Sequence, residues 1–326
     1  MKIEKVLITG AGGFIGSHLT ELCVSRGFRV RAFLHYNSRN QWGWLEKSEA
    51  ASSVETVCGD IRDYDSVQAA VQGCDTVFHL AALIGIPYSY VSPLAYVRTN
   101  VEGTYNVLQA SRNARVRTVL VTSTSETYGT AQYVPIDEGH PLSGQSPYSA
   151  SKIAADQLAV SYHRSFGLPV KIVRPFNTYG PRQSARAVIP ATVIQILKGE
   201  RKIRLGNLKP TRDLTFVKDT ARGFLEIART DGLTGEATNI GTGEEISIED
   251  LVRRIAKLMN RDVEVTTEEA RVRPDDSEVQ RLCCNNEKLL RRTGWKPGTP
   301  LDQGLSETIE WLGRNLEYYK NEIYNV

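Results

Sequence analysis

The chain has 326 residues, enough for one large or two smaller folding units that each bury a core. Hydrophobic residues make up 41% and charged residues 24%, a balance that fits a globular enzyme and excludes a disordered or fibrous chain. A formal net charge of +3 is too small to point to nucleic acid, and no apolar run approaches the roughly 20 residues that a membrane span needs.

Strands and helices alternate from the start. Lys5–Thr9 reads as a buried strand, and a helix follows from about Phe14 to Arg26. Phe28–Leu34, Val54–Gly59, Thr76–Leu80, Thr118–Thr122 and Val170–Val173 are further short apolar strands. Helical patterns separate them at Asp63–Val71, Pro93–Asn113 and Ser149–Phe166. Such alternation with short loops predicts an α/β fold, a Rossmann-type doubly wound parallel sheet with helices on both faces. After Pro175 the texture changes. Pro190–Lys198, Phe216–Thr230 and Ile248–Met259 read as helices and Glu236–Ile240 as a strand, while Pro274, Pro297 and Pro300 punctuate a looser tail. We expect a dinucleotide-binding domain over residues 1–176 plus about 214–241. A smaller, interleaved C-terminal substrate-binding domain takes about 177–213 and 242–326.

Cys23, Cys58, Cys74, Cys283 and Cys284 form no C-x-x-C pair, which suits a reduced, cytoplasmic compartment, and no secretory leader is read. The five histidines show no metal-ligand spacing, so no metal is expected.

Gly10, Gly13 and Gly16 follow a strand and open a helix that begins Phe14-Ile15. In that context glycines allow a tight turn and close approach of a pyrophosphate to the helix amides, which predicts dinucleotide binding. The acidic residue expected about 20 positions on is missing. Between Leu22 and Leu45 there is no acidic residue, whereas Arg26, Arg29, Arg31, His35 and Arg39 are there. This favours NADP over NAD, with Asn37 or Ser38 on a free 2′-hydroxyl as the alternative. Asp60 ends the third strand, where it either accepts from an adenine amine or caps the next helix. Trp42-Gly43-Trp44 either stacks on adenine, covers the site or packs under a long loop.

Tyr148 and Lys152 are four apart and share a helix face. An ammonium beside a phenol favours the phenolate, so the tyrosine pKa is expected to fall from about 10 towards neutrality. Ser123-Thr124-Ser125-Glu126 sits past a strand end, where side chains meet a ligand crevice.

Taken together, the Gly10–Gly16 turn, Asp60-Ile61, His79-Leu80-Ala81-Ala82, Asn100, Ser123-Thr124, Tyr148-x-x-x-Lys152, Arg174-Pro175-Phe176-Asn177 and Arg212-Asp213 resemble the extended short-chain dehydrogenase/reductases of the nucleotide-sugar epimerase/dehydratase branch. Pro87-Tyr88-Ser89, Thr122–Glu126, Asn177–Arg186 and Pro210–Asp213 are similar to amino-sugar nucleotide 4,6-dehydratases of the legionaminic-acid type, which act on a nucleotide-linked N-acetylglucosamine.

That resemblance implies a tightly bound NAD(P)+ regenerated in each turnover. Its contacts would include Gly10, Gly13, Phe14, Ile15, Gly16, Asn37, Arg39, Asp60, Ile61, Leu80, Ala81, Ala82, Asn100, Tyr148 and Lys152. It implies a 4,6-dehydratase cycle with Tyr148 as the C4 base, Thr124 on the C4 oxygen and Glu126 as the C5 base. Ser125 stands where dTDP-glucose 4,6-dehydratases carry an Asp acid. Ser89, Asn177, Arg182, Val188, Arg212 and Arg273 would bind the GDP- or UDP-linked sugar, with Arg186 bordering the base. A UDP-glucuronate decarboxylase or a 4-epimerase is the alternative, and an arginine placed for a C6 carboxylate would favour the decarboxylase. A homodimer, through helices Pro93–Asn113 and Ser149–Phe166, is the expected assembly.

Overall fold

The computed structural model describes residues 3–320; residues 1–2 and 321–326, the outer ends of the two expected domains, lie outside the described residues. The chain runs β1 (Lys5–Thr9), α1 (Phe14–Ser25), β2 (Arg29–His35), β3 (Val54–Gly59), α2 (Tyr64–Val71), β4 (Thr76–His79), α3 (Ile86–Val91), α4 (Pro93–Tyr96), α5 (Gly103–Asn113), β5 (Thr118–Thr122), α6 (Pro147–Phe166) and β6 (Val170–Pro175). It continues through β7 (Asn177–Tyr179), α7 (Val188–Leu197), β8 (Lys202–Leu205), β9 (Thr211–Phe216), α8 (Val217–Arg229), β10 (Ala237–Ile240), β11 (Glu245–Ser247), α9 (Ile248–Leu258), β12 (Glu264–Thr267), α10 (Glu287–Thr293) and α11 (Leu301–Arg314).

Seven parallel strands form one sheet in the order β10-β6-β5-β4-β1-β2-β3. The strand order reverses between β1 and β4, which opens a crevice outside their carboxyl ends where open α/β sheets bind ligands. The central strands carry apolar runs because helices cover both faces: β1, β4 and β5 are buried almost end to end. One face packs α1 and α8 through Leu19, Cys23, Phe224 and Ile227; the other packs α2, α5 and α6 through Val67, Val107, Leu108 and Ala159. Lys171 on β6 is buried, and its ammonium donates to the Ile227 and Ala228 carbonyls at the end of α8 at 3.0 and 2.8 Å. A third apolar cluster joins α7, α9 and α11 around Val193, Leu251 and Leu305.

Three expectations need correction. The helix over Pro93–Asn113 is interrupted by a π-helical turn at Val97–Glu102, where buried Asn100 gives its carbonyl to the Thr104 hydroxyl. The expected strand ending at Leu80 closes at His79. The tail after Pro274 is not loose: α10 and α11 lie in it, and Pro300 occupies the N-cap of α11, where a missing N–H costs nothing.

Candidate active site

The glycine turn is fixed by contacts a side chain would break. Gly10 has φ +71°, donates its N–H to the Phe33 carbonyl at 3.2 Å, and leaves only 2.9 Å between a would-be Cβ and the Ala81 nitrogen. Gly16 would drive a Cβ into the Gly10 carbonyl. Gly13 caps α1 through its backbone alone, and the first turn of α1 carries no acidic residue, so its amides face the crevice uncompensated. This cradle fits a dinucleotide pyrophosphate. Trp42 and Trp44 resolve to packing. The Trp44 N–H bonds the Gly12 carbonyl at 2.9 Å, and its indole lies edge-on to Trp311 at 5.2 Å, tying the turn to α11.

Around the rest of the expected cofactor site, several polar groups are already engaged. Leu80 and Ala81 donate their N–H groups to Thr9. Asn37 spends its side chain on the His35 and Gln41 carbonyls and on the Arg39 and Gln41 amides, so it organises its own loop instead of waiting for a ribose. Arg31 is committed to Glu55 and to the Ala70 and Gln72 carbonyls, which removes it as a phosphate partner; Arg39 is exposed. Asp60 grips Arg62 and Asp63 caps α2, so Asp60 is not the helix cap. The Ile61 side chain is buried in the core near Gly103, and its carbonyl accepts from Asn106. Asn100 is a tie rather than a free ligand: it exchanges bonds with both backbone groups of Leu83 and donates to Ser151. Phe14, Ile15 and Ala82 line the turn and the end of β4, half-buried.

The catalytic candidates converge. Pro147 opens α6, a Ser146/Ser149 capping box fixes its first turn, and Tyr148 and Lys152 fall on its buried face. Thr124 follows β5, accepts the Glu126 N–H and hydrogen-bonds the Tyr148 phenol. Glu126 is only 8% exposed and its charge acts on Tyr148; Ser125 is buried beside it. Tyr96 packs edge-on against Tyr148 at 6.2 Å.

The expected fall in the tyrosine pKa is overturned. Burial raises it well above the usual phenol range, the Thr124 hydrogen bond opposes this, and Glu126 adds to it. Lys152 is itself pulled down to about 8, because burial disfavours the ammonium more than Asp156 favours it. Spacing alone counted the cation and missed the desolvation. His79 is a packed core histidine bridging Thr9 and Thr104; burial, then the charge of Lys152, pushes it down to about 3.

The expected sugar-nucleotide residues divide. Arg212 is buried, bonds the Thr211 carbonyl, and shares Glu278 with Arg273 at 3.2 and 3.5 Å; Glu126 is the first of the charges acting on it. Asn177 carries a buried side-chain oxygen with no hydrogen-bond partner, ready for a donor. Val188 begins α7 at the rim. Arg182, at φ +73°, pairs through Nη2 with Glu21 of α1 at 2.7 Å, and its Nη1 is buried with no hydrogen-bond partner. Ser89 is fully buried and gives its hydroxyl to the Ile86 carbonyl at 2.6 Å, so it cannot reach a sugar as placed. Glu278, Tyr96 and Asp156 were not singled out by the sequence. Only Asp156 carries a local signal, one helical turn past Lys152.

Residues 7–308 match the family described as GDP-mannose 4,6 dehydratase. The chain is 33% identical over 320 residues to the dTDP-glucose 4,6-dehydratase of Streptomyces antibioticus, covering 97% of this chain and 94% of that one. It is 30% identical to the trifunctional UDP-glucose 4,6-dehydratase/UDP-4-keto-6-deoxy-D-glucose 3,5-epimerase/UDP-4-keto-L-rhamnose-reductase RHM1 of Arabidopsis thaliana, of which it spans 48%. The crystal structure of the dTDP-glucose 4,6-dehydratase DesIV from Streptomyces venezuelae, with NAD bound, superposes with a TM-score of 0.88 at 29% identity, covering 97% and 99% of the two chains. That of the UDP-N-acetylglucosamine 4-epimerase from Methanobrevibacter ruminantium superposes with 0.87 at 28%, covering 97% and 100%.

Proposed function

This chain belongs to the GDP-mannose 4,6 dehydratase family of NAD-dependent nucleotide-sugar enzymes, and from that premise we propose that it is a 4,6-dehydratase of a GDP- or UDP-linked N-acetylglucosamine, of the legionaminic-acid type. One observation carries the reading: a carboxylate, Glu126, is buried next to the Tyr148–Thr124 pair. Moving a proton at the C4 oxygen needs Tyr148 and Thr124; taking a second proton from C5 needs another base.

Bound NAD(P)+ would supply the hydride acceptor for C4 and the donor for C6; the glycine cradle and Lys152 would hold it. Tyr148 takes the C4 hydroxyl proton while Thr124 steadies the charge on that oxygen. Burial favours the protonated phenol, so positive charge beside it is what would lower its pKa for this transfer. With C4 a ketone, Glu126 takes the acidified C5 proton and passes it to the departing C6 hydroxyl, which leaves as water; C5 regains a proton when C6 is reduced, and the one that Tyr148 took from the C4 hydroxyl closes the balance. Ser125 orients that hydroxyl. Arg212, Arg273 and Asn177 take the diphosphate and sugar. The missing acid after β2 favours NADP, although solved relatives such as DesIV carry NAD.

We assign the cofactor to residues 1–176 with 214–241, and the nucleotide sugar to 177–213 with 242–326. We place the enzyme in the cytoplasm as a homodimer. Five free cysteines support the first, and exposed Leu94, Val97, Tyr105 and Phe166 on and beside α4, α5 and α6 support the second. One observation favours a second reading: the charge of Glu126 acts on buried Arg212, so a guanidinium lies within electrostatic reach of the C5 base, as a UDP-glucuronate decarboxylase would need for its C6 carboxylate.

The test is product mass after incubation with UDP- and GDP-N-acetylglucosamine, and separately with UDP-glucuronate. Loss of one water from an N-acetylglucosamine nucleotide supports the proposal. Loss of carbon dioxide from the glucuronate replaces it with the second reading, and unchanged mass throughout overturns both. In Glu126→Gln, reduced cofactor should accumulate once sugar binds; wild-type turnover there would remove Glu126 from the C5 role.

A further inference from the structure

Asp156 sits one turn after Lys152 and two after Tyr148, on the same buried face of α6. Its hydrogen bonds are lopsided. The Ser123 hydroxyl donates to Oδ2 at 2.8 Å, and Arg174 donates to the same oxygen from Nε at 3.2 Å and from Nη2 at 3.0 Å. Oδ1 is buried and has no hydrogen-bond partner. Arginine–carboxylate pairs frequently engage both oxygens in a fork; here Arg174 leaves one of them unused. A buried carboxylate oxygen with no donor is costly unless another positive charge offsets it. Arg174 is already turned to Oδ2 and to the Tyr128 hydroxyl at 3.0 Å. The remaining cation on that face is Lys152.

We propose that Asp156 is a positioning residue: clamped through Oδ2 by Ser123 and Arg174, it offers the free Oδ1 side of its carboxylate as the counter-charge that holds the Lys152 ammonium beside Tyr148. The inference rests on reading Tyr148 and Lys152 as the C4 oxidation pair, a step shared by dehydratase, decarboxylase and epimerase. Ser123 also links this carboxylate to the strand end that presents Thr124, so one clamp registers both sides of the reacting oxygen. The groups facing the pair are few. From α6 they are Tyr148 and Lys152; from β4, neutral His79; from the end of β5, Ser123; from β6, Arg174, with Tyr128 beyond it. Asp156 is the one charge that favours the protonated lysine against its burial.

The experiment titrates side chains, so it stands apart from turnover. Lysine carries a 13Cε label, its Lys152 resonance is assigned with Lys152→Arg, and it is followed through pH in wild type, Asp156→Asn and Asp156→Glu. Asp156→Asn should lower the Lys152 midpoint by about one unit or more, a tenfold change in proton affinity, and Asp156→Glu should return most of it. An unchanged midpoint in folded Asp156→Asn overturns the proposal. Should Asp156→Asn not fold, the wild type decides: its Asp156 13Cγ signal should inflect at the Lys152 midpoint, and a flat trace there overturns the proposal. Product mass with the nucleotide sugars is untouched by either outcome, so this inference and the proposed reaction fail separately.

Discussion

Replacing Gly10 with alanine separates two costs that usually arrive together. At φ +71° a side chain is strained whatever surrounds it, by about 1–2 kcal/mol. The new methyl would also stand 2.9 Å from the Ala81 nitrogen, 3.0 Å from its Cα and 3.1 Å from the Leu80 carbonyl carbon. All three are backbone, and neither side can yield cheaply. The Ala81 and Leu80 amides are tied to the Thr9 hydroxyl at 3.1 Å, and Gly10 is tied to Phe33 in the next strand. Overpacking of this kind adds about 1–3 kcal/mol. Gly27 supplies the reference: φ is +78° and nothing lies within 4 Å of its would-be Cβ, so Gly27→Ala carries the strain alone. Thermal unfolding of the two variants should differ by the clash alone. At roughly 2–4 °C per kcal/mol for a large domain, Gly10→Ala should melt about 2–12 °C below Gly27→Ala. Because the same displacement opens the turn, Gly10→Ala should also lose the thermal stabilisation that NAD+ or NADP+ gives Gly27→Ala. Equal melting temperatures together with equal cofactor shifts would refute the claim that this crevice is built by backbone contact.

The two arginines that looked alike in sequence should part in calorimetry with UDP and GDP. Arg182→Gln, removed from Glu21 alone, should change nucleotide affinity less than about threefold, whereas Arg212→Gln breaks a buried charge pair and should weaken it by at least about tenfold; equal losses would return Arg182 to the site. Lys171→Met tests the buried ammonium on β6. Burial lowers Lys171 to about 8 from its ordinary 10.5, so between those values the unfolded chain holds a proton that the folded one has released. Wild-type stability, measured by urea unfolding, should therefore rise relative to Lys171→Met as pH climbs above 8, by up to about 1.4 kcal/mol per unit, and the gap should be flat below pH 8. A gap that shrinks with rising pH contradicts the assignment.

What the sequence disclosed and what it concealed follow one physical line. Strand β5 was legible because its Val119-Leu120-Val121 run is buried in the middle of a sheet that helices cover on both faces. The glycine turn and the Tyr148–Lys152 stripe were legible for a similar reason, since each is local geometry within one or two turns of chain. Residues whose fate hangs on a distant partner were not. Arg182 meets Glu21 across 161 positions, Arg212 meets Glu278 across 66, and nothing near either names its partner. Ser89 and Asn100 fit a ligand motif, but the fold uses their polar groups to satisfy backbone in a buried turn. Proline misled in the tail, because Pro300 as a breaker and Pro300 as a helix start give the same letter.

The tyrosine pKa shows where this line runs through the chemistry itself. A lysine four residues away is visible in the sequence, and its pull on a phenol is sound physics. The desolvation that outweighs it belongs to the packed crevice, where Tyr148 and Lys152 lie buried together and each loses part of the charge it would carry in water. Asp156 then acts on a pair that is already short of solvation, so a carboxylate that would be a minor neighbour on a surface helix becomes the charge that supports the ammonium against burial. In such a pocket the motif supplies the reacting groups, and the buried counter-charge decides the pH range over which they can work.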